Sequence, residues 1–118
     1  MKIDRVAAHN RQMWERLARA GIPYTRPQGR PPRTRAGMRR FLDPHGRLRG
    51  VRVDGARVLV LAGGGGWDAV LFAKLGAATT LLDISRRQLD TVRNLAQRER
   101  GRIRFRQGNM KDLSRFAD

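Results

Sequence analysis

Residues 57–70 read RVLVLAGGGGWDAV: an apolar run, glycines at 63–66, then the start of a second apolar segment. Ordered glycine costs more backbone entropy than any other residue, so a run of them marks a place where something must come close to bare peptide. A strand that ends in glycines and turns into a helix presents N–H groups without intrahelical partners, which suits an anion or a polar cofactor. Asp83 lies 17 residues beyond Gly66, at the end of the next apolar run, ATTLLDIS. That is close to the ~20-residue spacing at which an acid at the tip of a second strand accepts hydrogen bonds from ribose hydroxyls. Taken singly, each feature has a plain structural reading: a tight strand-to-helix turn, and a surface acid. Strand, glycine loop, helix, strand and terminal acid in that order point to a ribose-bearing ligand.

The elements that must position these residues can be read from periodicity. ARVLVLA is a β-branched and leucine-rich strand, and WDAVLFAKLG is a short helix closed by Gly76. ATTLLDIS is a second strand. SRRQLDTVRNLAQRERG is a longer helix with Ser85 as N-cap, Leu89, Val92, Leu95 and Ala96 on one side, and Gly101 as its stop. RIRFRQG is a third strand, in which Arg102, Arg104 and Arg106 alternate with Ile103 and Phe105. The β-α-β-α-β order implies a parallel sheet with right-handed crossovers, and crossovers running in one direction put both helices on the same face. Yet Val58 and Val60 face one way and Leu59 and Leu61 the other, so strand one is apolar on both faces and expects cover on both. The helix at 3–20, a second copy of the chain, or a missing C-terminal half could supply the second cover.

Ahead of this unit, residues 3–20 read as a helix with Ile3, Val6, Ala7, Asn10, Met13, Trp14 and Leu17 at helical spacing. Trp14 on this stripe is taken as a packing residue. Residues 21–57 are punctuated by all five prolines, with a short helix near 35–42. Asp54-Gly55 between two β-type runs is a hairpin signal that would blunt the open edge of strand one with residues 51–53. The organisation expected is therefore a helical, basic, proline-rich lead-in over 1–55 and a cofactor-binding half-domain over 56–118.

Composition bounds the function. The chain has 118 residues and a net charge of +16, with 26 Lys+Arg against 10 Asp+Glu. Of the basic residues, 23 are arginine. Charge of this kind attracts nucleic acid, but the aromatics do not interleave with it as stacking platforms, so it is read as a solvated surface. There is no cysteine, hence no disulfide framework and no thiolate metal site. His9 and His45 are isolated, and no metal is assigned. No secretory leader or membrane span is visible, and a cytoplasmic protein without membrane association is expected.

VLVLAGGGGWDAVLFAKLGAATTLLDIS followed by QGNMKDL resembles the first half of a class I S-adenosylmethionine-dependent methyltransferase, and the HNRQMW helix resembles the lead-in of many members. The resemblance covers roughly residues 5–20 and 56–118. It implies a Rossmann-like α/β fold with strand order 3-2-1, truncated relative to a seven-stranded sheet, and S-adenosylmethionine as cofactor. Carried onto this chain, it implies that Ala62, Gly63, Gly64 and Gly66 approach the methionine part. Asp83 would hold the ribose hydroxyls, Ile84 would pack on the adenine, and Asn109 and Met110 would line the adenine edge. Three positions depart from the pattern. Val60 stands for an acid at the methionine end, Ala62 for the first glycine, and Asn109 for an aspartate. The segment that would carry acceptor and catalytic groups lies beyond this sequence, so no catalytic residue and no methyl acceptor are assigned. Two other readings stay open. One is a nicotinamide-dependent oxidoreductase, on the fingerprint Gly64-x-Gly66-x-x-Ala69. The other is a basic, non-enzymatic module on a degraded enzyme fold that binds nucleic acid or another partner.

Overall fold

The computed structural model describes residues 4–22, 25–62 and 66–116. Asp4 opens helix α1 (Arg5–Arg19) by accepting a hydrogen bond from the Ala7 N–H at 2.7 Å. Helix α2 (Arg35–Leu42), capped by Thr34, falls where the short helix was expected. Strand β1 (Arg57–Leu61), helix α3 (Asp68–Lys74), strand β2 (Ala78–Asp83), helix α4 (Arg86–Glu99) and strand β3 (Ile103–Gln107) follow, and a 3-10 turn covers Ser114–Phe116.

The sheet is parallel throughout, with β2 central between β1 and β3, the expected 3-2-1 order. Val58, Val60, Ile103 and Phe105 pack on one core together with the inner faces of α3 and α4. Leu71, Leu75, Leu81, Leu95, Val70 and Val92 are fully enclosed there. Thus α3 and α4 cover one face, as right-handed crossovers require. The other face opens on a groove of about 920 Å³ lined by Leu59, Thr80, Arg104 and Phe116 among others. Helix α1 packs on α4 instead.

The proline- and arginine-rich segment is not a loose leader. Met38 and Val53 are buried in the same core as the sheet. Trp67 donates its indole N–H to the Gln28 carbonyl at 3.1 Å, and Arg35 donates to the Leu75 carbonyl at 3.2 Å. Arg33 and Lys74 both pair with Glu99, at 3.1 and 3.2 Å, and the hydrogen bond from Lys74, with the Arg33 charge behind it, holds its carboxyl below the usual range.

Two local expectations are corrected. Asp54-Gly55 does turn, with the Ala56 N–H bonded to the Val53 carbonyl, but residues 51–53 form no strand and no hairpin. Val53 is drawn into the core, and Gly55 and Ala56 bond to Gly76 and Ala78 at the start of β2. The 51–53 segment therefore does not protect β1. Helix α4, in turn, ends through Arg100, not Gly101: Arg100 holds the left-handed conformation at φ 58°, and the Gly101 N–H closes the cap on the Ala96 carbonyl. Among the described residues no helix is long and apolar enough to cross a membrane.

An L-residue at that cap is strained, and glycine there gives back part of the gain through unfolded-chain entropy. Arg100→Gly is expected to raise stability by about 0.5–1 kcal/mol in urea unfolding. A loss of stability would contradict the left-handed cap.

Candidate functional site

Parallel pairing brings the C-terminal ends of neighbouring strands to one edge, and the register aligns Leu61 with Leu82 and Asp83 with Gln107. The Ala62 N–H continues the ladder to the Leu82 carbonyl at 2.8 Å, and the Gly108 N–H continues it to the Asp83 carbonyl at 3.0 Å. Ala62, Asp83 and Gly108 are therefore neighbours. Over them lies a cavity of about 240 Å³, to which Ala62, Asp83, Ile84, Asn109 and Met110 all contribute.

The bend after β1 begins at Ala62, whose φ is 53°. This is the position where the resemblance expects glycine, and the backbone adopts the glycine-like conformation although a methyl group is present. Gly66 is half-buried just ahead of α3 and does not line the cavity. Gly63 and Gly64 lie outside the described residues.

Asp83 is 8% exposed, and its carboxylate accepts a hydrogen bond from the Ser85 N–H at 2.8 Å. That contact fixes the carboxylate at the edge of the sheet. Asn109 accepts from the Lys111 N–H at 3.1 Å, which shapes the loop after β3; its carbonyl oxygen keeps a second lone pair. Asp68, in the first turn of α3, stays outside the cavity, and desolvation raises its carboxyl above the ordinary range. Val60, where the resemblance expects an acid, faces the core.

The third side of the cavity is helix α1, through Val6, Ala7, Asn10 and Trp14. Trp14 was expected to be a packing residue; it is 39% exposed and lines the cavity. Of the expected stripe, Ala7 is buried, Val6 is well exposed on the cavity side, and Met13 is well exposed away from it; Ile3 lies outside the described residues. Glu15 holds the helix in place. Its carboxylate accepts from Ser85 Oγ at 2.8 Å and from the Arg87 N–H at 3.3 Å, and pairs with the Arg87 guanidinium at 3.6 Å. A negative charge there also meets the positive end of α4.

Gln88 completes the wall. It sits in the first turn of α4, is 2% exposed and lines the cavity, and among the described residues neither its side-chain nitrogen nor its oxygen has a hydrogen-bond partner. Sequence reading missed it. The available signal was a polar residue at the inward helical positions otherwise held by Leu89, Val92 and Leu95.

The family model described as "Methyltransferase domain" matches residues 58–118. The chain belongs to this methyltransferase family. The uncharacterized methyltransferase YbaJ of Bacillus subtilis (strain 168) is 42% identical over 66 residues, which cover 56% of this chain and 26% of that protein. A solved structure from work on the conversion of a disulfide bond into a thioacetal group during echinomycin biosynthesis shares the fold. Its TM-score is 0.62 at 23% identity, over 90% of this chain and 42% of that one. The chain thus spans less than half the length of either protein. These likenesses favour neither the oxidoreductase nor the non-enzymatic module.

Because Glu15 links the cavity wall to the body, Glu15→Ala is expected to cost about 1.5–3 kcal/mol, the range for hydrogen bonds to a charged group. It should also speed amide hydrogen exchange along α1 more than in the sheet. Unchanged exchange in α1 would contradict the latch.

Proposed function

We propose that this chain is the S-adenosylmethionine-binding part of a methyltransferase. The observation that carries the reading is the placement of the Asp83 carboxylate, buried and held by Ser85, directly beside the left-handed bend at Ala62. A carboxylate there accepts hydrogen bonds from both hydroxyls of a ribose, while Ile84 and Met110 offer apolar surface to a purine and Asn109 a polar edge. The donor set is short of one acid, since Val60 is turned into the core, so the ribose end of the site bears more of the grip than the methionine end.

When bound, the cofactor supplies an electrophilic methyl group on a sulfonium centre. The chain's own residues bind and orient it, and α1 screens it from water. Much of the rate of such an in-line displacement comes from alignment, so this half of the protein contributes positioning without a general base. The methyl acceptor would be selected by residues outside this stretch of the fold.

Titration calorimetry with S-adenosylhomocysteine tests the reading. The folded protein is expected to bind it, and Asp83→Asn, which keeps an oxygen for the Ser85 N–H, is expected to weaken binding about 10- to 100-fold, the worth of a charged hydrogen bond. Absence of binding, or equal affinity in the variant, would overturn the proposal. So would thermal stabilisation by NAD(H) without any by S-adenosylhomocysteine.

A further inference from the structure

The sheet face opposite α3 and α4 carries charge that cofactor binding does not use. The register sets Leu59, Thr80 and Arg104 in one row across that face, and Leu61, Leu82 and Arg106 in the next. None of the strand residues sharing the face is an acid. Arg102 and Arg104 line its groove and are exposed, and among the described residues neither makes a hydrogen bond or an ion pair. Arg106, in contrast, donates back to the Phe105 carbonyl at 3.1 Å. Alternate residues of a strand stand about 6.6 Å apart on the same side, so the two guanidinium groups repel each other. Charge of this kind also guards an edge strand against pairing, but guarding makes no use of the groove beside it.

The groove's own chemistry selects its occupant. An apolar protein layer suits Leu59 and Leu61 but not these arginines, because a guanidinium buried without a partner is costly. A second copy of the chain would bring a charge of +16 against +16. A lipid surface is flat and does not enter a groove. Phosphates fit: guanidinium pairs with them through two parallel hydrogen bonds. Arginines at alternate strand positions also match the spacing of successive phosphates along an extended nucleic-acid backbone. Between the outer strands the floor is small, Ala78 and Thr80, and half-buried Phe116 lines the same groove. An aromatic ring beside a basic track is what unpaired bases stack on, whereas a duplex keeps its bases in its own stack.

We propose that the groove on the open sheet face binds a single strand of nucleic acid, with Arg102 and Arg104 on successive phosphates and a base stacked on Phe116. The groove shares no lining residue with the cavity at Asp83, so binding here is tested separately from binding of the cofactor.

The test titrates the protein into a fluorescently labelled single-stranded oligonucleotide, as RNA and as DNA, over a range of salt. Wild type is expected to bind at least one of them, with affinity falling as salt rises. Arg102→Gln/Arg104→Gln is expected to weaken binding about tenfold or more at low salt and to reduce the salt slope by about 1.4, the share of two phosphate contacts on a single strand. Arg40→Gln/Arg47→Gln removes the same charge from α2 and the loop after it, and α2 packs on α3 across the sheet from the groove. That control is expected to change affinity by less than about threefold. Phe116→Leu is expected to weaken binding about fivefold or more at an unchanged slope. No binding by wild type at low salt, or equal losses in the two double variants, would overturn the proposal. Unchanged affinity in Phe116→Leu would overturn it as well. Should the groove variant fail to fold, amide resonances of the wild-type protein decide. Shifts at residues 102–106 on adding the oligonucleotide support the proposal, and shifts confined to other segments overturn it.

Discussion

The parallel pairing of β1 with β2 is the constraint from which the rest follows. With Leu61 opposite Leu82, the chain leaves β1 beside the residue that ends β2, and Ala62 and Asp83 become neighbours. A one-residue slip would exchange the two faces of β2, sending Leu81 out of the core and turning the Asp83 side chain to the other side of the sheet. The burial of Leu81, Val70, Leu71 and Val92 thus fixes the position of a carboxylate at the sheet's edge. Core packing and site geometry here are one constraint seen from two ends of a strand.

Around that edge the chain accepts local costs. Ala62 and Arg100 both hold the left-handed backbone that glycine adopts freely, and Gln88 buries an amide without partners among the described residues. The costs at Ala62 and Gln88 lie against the cavity. The strain at Arg100 lies at the far end of α4 and reflects helix termination. Glu15 serves the same edge from outside: by bonding to Ser85 and Arg87 it holds α1 against the start of α4, where Trp14 and Asn10 close the cavity.

Much of this was legible in the residues. Alternation of Arg104 and Arg106 with Ile103 and Phe105 gave the one-sided third strand, and Ser85 gave the start of α4, because both signals are local. The resemblance and the glycine-to-acid spacing brought Ala62, Asp83, Ile84, Asn109 and Met110 to one cavity. Tertiary effects were hidden. Asp54-Gly55 makes the turn its residue types predict, but whether residues 51–53 then pair with β1 depends on Val53, which the core takes. The stripe on α1 marks a helix with one apolar face; it cannot say that the face borders a cavity and not a core. Gln88 looks in sequence like one more polar residue of a basic helix, and its burial is set by how α4 packs on the sheet and α1.

A crystal structure of the protein with S-adenosylhomocysteine measures the central claim most directly. The account predicts both ribose hydroxyls within hydrogen-bonding distance of the Asp83 carboxylate, the purine against Ile84 and Met110, and the chain passing close to the ligand at Ala62. A ligand seated elsewhere, or one whose sugar is turned away from Asp83, would contradict it.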